Sequence, residues 1–199
     1  KRLHLDCWIN EIKNRCNKNQ RTFTYAYWEQ PDGFLHAEGS DSQNVHNTIE
    51  ELNKKIELLC ATLQDTVVFI TADHGHIDIQ MDYFEENYPD FTKMLVRPVS
   101  IEPRGISFYV KDEFIPVFKE RFLELFGSDY LIFSKEEVFQ NNLFGPGTPN
   151  KNLTGIGDFL APAIGTKTMF WNKTSPIFKS HHAGLTSQEM KIPLIVVEK

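Results

Sequence analysis

Cysteine is scarce. The 199 residues hold three, Cys7, Cys16 and Cys60, odd in number and scattered. That excludes a disulfide framework and fits a reducing compartment, with each cysteine read as a small buried apolar residue. Long apolar runs are missing too: none approaches the ~18 residues of a spanning helix, so no membrane association is expected. No secretory leader is visible, so the expected location is cytoplasmic, although an upstream region could carry one. Positive charge is not in excess. Lys and Arg number 21 against 27 Asp and Glu, a net −6, so no nucleic-acid binding is expected. Repeats and low-complexity tracts are absent. The Asn-x-Ser/Thr triplets at Asn152 and Asn172 matter only in a secreted chain and read as chance. An initiator Met is lacking, and Lys1-Arg2-Leu3 already reads as helical, so the sequence looks like a piece of something longer.

What is present suits a firm core. Hydrophobic residues make up 41% and aromatics 13%, mostly the 16 Phe, enough for one domain or a domain plus a subdomain. Residues 1–17 carry Leu5, Trp8, Ile9, Ile12 and Cys16 at helical spacing, and the cluster at 17–20 ends that helix. Residues 21–28 are aromatic and β-branched and predict a strand. A Pro/Gly/acid stretch at 29–39 predicts a loop. Val45, Ile49, Leu52, Ile56, Leu59 and Leu63 then mark a helix whose start Ser40 or Ser42 can cap. Residues 66–70 form a short β-branched run into Thr71-Ala72-Asp73-His74-Gly75-His76, a buried strand that stops on metal-capable side chains.

Strand, Asp/His loop, helix, strand, Asp/His loop reads as a βαβ unit. Such units join parallel strands, so both loops should emerge at one sheet edge, where open α/β sheets bind ligands. Further on, 77–103 is irregular, with 82–90 a solvated loop or short helix. Residues 104–111 predict a strand and 112–126 a helix capped by Asp112 and ended by Gly127. Residues 130–133 predict a strand, and a capping box at Ser134 opens a helix to about 145. This block reads as a small inserted subdomain. Residues 145–152 are the clearest loop. A strand pair at 157–164 and 168–171, a polar segment at 180–186, a short helix capped by Thr186 and a last strand at 192–197 complete the chain.

Five residues stand out: Asp32, His36, Asp73, His74 and His182. Zinc takes imidazole nitrogen and carboxylate oxygen at ~2.0–2.2 Å. Two metals ~3.5–4 Å apart can clamp the attacking and leaving oxygens of a displacement at phosphorus. Each motif also has an ordinary explanation. Asp-x3-His in a Pro/Gly loop can be an Asx turn, and seven His in the chain is not exceptional. His181 rivals His182 as the ligand. His76 reads as a solvated loop residue, with a role beside the metal or substrate as the alternative. Arg97 and Arg104 are candidate anion contacts, a surface role being the alternative.

At these residues the sequence resembles the alkaline phosphatase superfamily, and within it the type I phosphodiesterase/nucleotide pyrophosphatase group and its bacterial relatives. The likeness lies in Tyr27-Trp28-Glu29-Gln30-Pro31-Asp32-x3-His36-x2-Gly39, in Thr71-Ala72-Asp73-His74-Gly75, and in His182-Ala183-Gly184-Leu185-Thr186-x2-Glu189-Met190-x2-Pro193. The resemblance implies an α/β fold: an alkaline-phosphatase-like three-layer sandwich with a mostly parallel central sheet, partial here, plus a small α+β inserted subdomain. Residues 1–76 and 154–199 would be the C-terminal part of the catalytic domain and 77–153 the cap.

The resemblance also implies two divalent metals, zinc with manganese as the alternative. Asp32, His36 and His182 would hold one, Asp73 and His74 the other. The family's second metal also uses an upstream Asp and the nucleophilic Thr or Ser. Residues 1–31 show no such motif, and Thr71 lies inside its strand. The whole protein would hydrolyse phosphate mono- or diesters through a phospho-enzyme, while this chain alone would be inactive or nearly so. Its partner would be a small phosphate ester: nucleotide, lipid headgroup, phosphonate, sulfate ester and sugar phosphate all fit. An open sheet edge would invite self-association. The alternatives are a phosphotransferase like cofactor-independent phosphoglycerate mutase and a non-enzymatic α/β binding module.

Overall fold

The computed structural model describes residues 4–18, 20–147 and 155–199. Expectations that touch residues 1–3, Asn19 and 148–154, including the loop up to Asn152, fall there outside the described residues. The chain divides into two units, Lys1–Asp73 with Ile192–Lys199, and His74–Lys191.

In chain order come α1 (Leu5–Cys16), α2 (Asp32–Glu38), α3 (Gln43–Thr62) and β1 (Val67–Thr71). Then come β2 (Ile77–Asp78), β3 (Gln80–Tyr83), α4 (Phe84–Asn87), α5 (Pro89–Thr92), β4 (Ser100–Glu102) and β5 (Gly105–Phe108). A 3₁₀ turn (Asp112–Phe114) leads into α6 (Ile115–Phe126), followed by β6 (Phe133–Ser134) and α7 (Lys135–Gln140). Last are β7 (Phe159–Pro162), β8 (Lys167–Phe170), β9 (Ser180–His181), α8 (Ser187–Met190) and β10 (Leu194–Glu198).

In the first unit α3 is the main buried element. Ser42 caps it by accepting from the Val45 amide, and Val45, Leu59, Cys60 and Leu63 are buried. Trp8 of α1 packs on Trp28 with ring centroids 5.6 Å apart. Cys60 is buried as expected, but Cys7 is exposed on α1. β1 pairs antiparallel with β10, Phe69 opposite Val196 and Thr71 opposite Leu194. Val67, Phe69, Leu194 and Val196 share one face of this ribbon and are exposed.

The expected strand at 21–28 belongs to no ladder among the described residues. Phe23 and Tyr25 stand exposed. Aromatic and β-branched residues favour an extended backbone, but a strand also needs a hydrogen-bonding neighbour, which this segment lacks among the described ladders. The parallel pairing inferred for a βαβ unit therefore does not occur here; β1 neighbours β10 instead.

The second unit is built on phenylalanine. Phe118, Phe122 and Phe126 repeat every four residues along one face of α6, all within 1% exposure, and meet Phe84, Phe91 and Phe108. Phe108 meets Phe122 edge-on at 5.4 Å and Phe91 edge-on at 5.9 Å. Residues 82–90 take the short-helix alternative rather than the solvated loop: α4 and the start of α5 form there, and Phe84 and the adjacent Phe91 anchor these helices in the core despite their acidic neighbours. Behind the rings lies an antiparallel sheet in the order β4-β5-β7-β6. β7 and β8 do not pair with each other as expected. β7 lies between β5 and β6, and β8 pairs with β3 in a parallel ladder, where the other described ladders are antiparallel. The capping box at Ser134 forms as its sequence predicts. Asp112 instead sits in the 3₁₀ turn and α6 starts at Ile115.

Phe122→Ala should destabilise the second unit by about 3–5 kcal/mol, whereas Val117→Ala on the exposed side of α6 should stay within about 0.5 kcal/mol. Urea unfolding of the two variants checks this difference.

Candidate metal centre

In the first unit the expected loop at 29–39 contains a helix. Pro31 precedes α2, Asp32 opens it, and Gly39 at φ +90° ends it. The Asp-x3-His spacing thereby becomes one helical turn, so both side chains share a face. His36 Nε2 lies 3.5 Å from Asp32 Oδ1. Asp73, exposed past the end of β1, accepts from the Tyr27 hydroxyl at 3.5 Å. The Asp73 charge, then burial, then the Asp32 charge raise the Tyr27 phenol above its ordinary value, so both carboxylates act on one hydroxyl. Tyr27 lies within the Asp32 motif, but nothing in its local sequence signals a contact with a residue 46 positions on. Thr71 Oγ1 donates to the Pro193 carbonyl at 2.9 Å.

In the second unit three imidazoles converge. The His74 and His182 rings stack at 3.8 Å with 19° between planes, and His76 lies 5.4 Å from His74 and 5.1 Å from His182. The cause is strand periodicity. β2 pairs with β9, Ile77 opposite His181 and Asp78 opposite Ser180. One step further along that register sets His76 against His182. Side chains alternate along an extended chain, so His74 and His76 share a side and His181 points the other way. His181 is buried against Phe170 and Phe178, and its Nδ1 accepts the His182 amide at 3.0 Å. Alternation thus distinguishes the two neighbours. His76 is not a solvated loop residue: it is half-buried, with Nδ1 2.9 Å from the buried Ser180 hydroxyl.

The two segments that carry these rings are tied to α8. The Gly75 amide donates to the Glu189 carbonyl at 2.8 Å. A Cβ at Gly75 would fall 1.9 Å from the Gln188 carbonyl oxygen, so this approach requires glycine. Arg104 is not an anion contact. It is fully buried and forms a two-pronged pair with Glu189, Nε to Oε1 and Nη2 to Oε2, both at 2.7 Å. Arg97 is likewise engaged, its guanidinium 3.6 Å from the Tyr109 ring centre.

The donors suit a divalent cation. Asp32 and His36 each offer a ligand atom within 4.8 Å of the other, as do His76 and His182 in their unit. Neutral imidazole and carboxylate are the donors that zinc and manganese accept.

These features define an α/β protein of the alkaline phosphatase superfamily. The family model for type I phosphodiesterase / nucleotide pyrophosphatase matches residues 4–113, just over half of the sequence, and the chain belongs to that family. Bis(5'-adenosyl)-triphosphatase enpp4 of Xenopus laevis is 35% identical over 79 residues, 36% of this chain and 16% of that protein. Human ectonucleotide pyrophosphatase / phosphodiesterase 5 superposes with a TM-score of 0.75 at 16% identity, over 99% of this chain and 53% of its own. An inactive form of the murine protein, in complex with AMP, gives 0.71 at 17% identity, over 97% of this chain and 52% of its own. The chain thus spans about half the length of the solved structures it matches.

Acid should weaken the second unit through Glu189. Burial alone would raise this carboxyl; hydrogen bonds from Arg104, Thr186 and the Gly184 amide outweigh it and hold the group below its ordinary 4.5. A depressed carboxyl contributes stability in full above its unfolded value and loses it as pH falls through the folded value. The unfolding midpoint should therefore drop as pH falls below about 4.5, and Glu189→Gln should flatten that dependence. Thermal melts between pH 7 and 3 test both.

Proposed function

We propose that the whole protein is a metal-dependent hydrolase of phosphate esters, with nucleotide phosphodiesters or pyrophosphates as its substrate class. The observation that carries this is the Asp32–His36 pair on one helical turn, in a chain that matches the phosphodiesterase family over residues 4–113. The nucleotide class is supported by the triphosphatase name of the Xenopus relative and by the AMP complex of the murine one.

In this proposal Asp32, His36 and His182 hold one divalent metal, Asp73 and His74 contribute to a second, and zinc is the ion, with manganese able to replace it. The bound ions would supply Lewis-acid stabilisation of charge on the phosphoryl oxygens. The chain's own residues do the rest. The α2 turn fixes the first carboxylate and imidazole relative to each other. Ser180 holds His76 through Nδ1, and we assign His76 to orienting the neighbouring rings. Tyr27 holds Asp73 through its hydroxyl.

Calorimetric titration of the metal-free chain with zinc should give one tight and one weak site. His182→Ala should weaken the tight site by more than the ~10–100-fold that loss of an outer partner costs, and His181→Ala should lower stability while leaving that site in place. Two equally tight sites, or loss of the tight site in His181→Ala alone, would refute the assignment.

No residue of this chain takes the family's nucleophile position in this proposal, because residues 1–31 hold no such motif. The purified 199-residue chain should therefore leave p-nitrophenyl phosphodiesters uncleaved. Turnover that Asp32→Ala abolishes would place the nucleophile within these residues after all.

A further inference from the structure

We propose that Glu189, locked by Arg104, is a positioning residue that sets the distance between the 74–76 segment and the His182 loop, and with it the approach of the three imidazoles. The proposal rests on the metal-centre reading of those histidines and adds to it a pair that binds neither metal nor substrate.

Glu189 reaches both segments at once. Its backbone carbonyl accepts the Gly75 amide, between His74 and His76, at 2.8 Å. Its carboxylate accepts the Gly184 amide, two residues after His182, at 2.7 Å. Ala183 between them is forced to φ +81°, a conformation that a side chain disfavours and that the flanking bonds must hold. Gly184 is similarly confined, since a Cβ there would meet Glu189 Oε2 at 2.7 Å and the Ala163 carbonyl at 2.8 Å.

The carboxylate has no capacity left for a ligand. Oε1 takes Arg104 and Gly184, and Oε2 takes Arg104 and the Thr186 hydroxyl at 2.6 Å. Arg104 is fixed in turn by Thr168 Oγ1 at 3.0 Å and the Gly165 carbonyl at 2.9 Å, both on the approach to β8 or within it. The guanidinium thus connects the imidazole segments to the parallel β3–β8 ladder. A planar fork is required for this. A lysine ammonium keeps the charge but cannot span both carboxylate oxygens and two further acceptors in one plane.

The test uses the full chain labelled at histidine, without metal and then with zinc. In Glu189→Asp, one methylene shorter, and in Arg104→Lys, the nuclear Overhauser contacts between the His74 and His182 rings should weaken and their imidazole resonances shift. Zinc affinity should fall about 10–100-fold. Phe122→Leu, in the phenylalanine core, serves as a control for lost stability and should leave the ring contacts and zinc affinity unchanged. Ring contacts kept in Arg104→Lys, or lost to the same degree in Phe122→Leu, would overturn the proposal. If Glu189→Asp does not fold, Arg104→Lys carries the comparison alone. If the unmodified chain takes up no zinc, the metal-centre reading fails, and the metal-free ring contacts still decide the positioning role.

Discussion

A guanidinium with no exposed surface constrains everything around it. Moving Arg104 and Glu189 out of water costs several kcal/mol per ion, and only near-complete hydrogen bonding offsets that. The second unit meets the requirement by bringing three parts of the chain to one point: the β4–β5 turn, the entry to β8, and α8. None of the three can shift without leaving a buried charge partly unpaired, which typically costs about 3–5 kcal/mol. The imidazole-bearing segments attach to this point through backbone amides, so the ion pair braces the geometry that the β2–β9 register sets.

Elements whose stability is local were legible in the sequence. The apolar period of α3 and its Ser42 cap, and the capping boxes at Ser134 and Thr186, need only residues within a few positions of one another. Elements decided by distant partners were not. The composition of 21–28 announces an extended backbone, but no local signal says whether a ladder partner adjoins it. Nor do the compositions of β7 and β8 reveal that their partners are β5, β6 and β3. In and just after the acidic stretch at 82–90, charge masked two phenylalanines, Phe84 and Phe91, that bury themselves. The six residues between Phe84 and Phe91, three of them acidic, hide an apolar contact that only tertiary packing creates.

The candidate site divides along the same line. Asp32, His36, Asp73, His74 and His182 were visible because metal-capable residues sat at suggestive spacings. The conformation was misjudged: Pro31 and two glycines argue for a loop, yet Pro before the first turn and Gly at the end also bracket a helix, and α2 forms. The separation of His182 from His181 needed the β2–β9 register, which two-residue strands do not announce. For the same reason His76 reads in sequence as a solvated loop residue first and a neighbour of the metal or substrate only second. Arg104 reads in sequence as an anion contact or a surface cation, and only its partner 85 residues away shows that it is buried.

The two units differ in how much core supports their donors. Described buried apolar residues of the first unit are few and come from α3 and its end, and its ribbon leaves Val67, Phe69, Leu194 and Val196 exposed. The second unit encloses a continuous aromatic cluster. Asp32, His36 and Asp73 therefore stand on the less supported scaffold, and His74, His76 and His182 on the firmer one. A ligand that binds only the folded state adds its binding free energy to folding, most visibly where little other free energy is available. A metal bound by Asp32 and His36 would thus act on the first unit as a structural element, holding α2 in the turn that places them. The imidazoles, already braced through Glu189, would change little on binding.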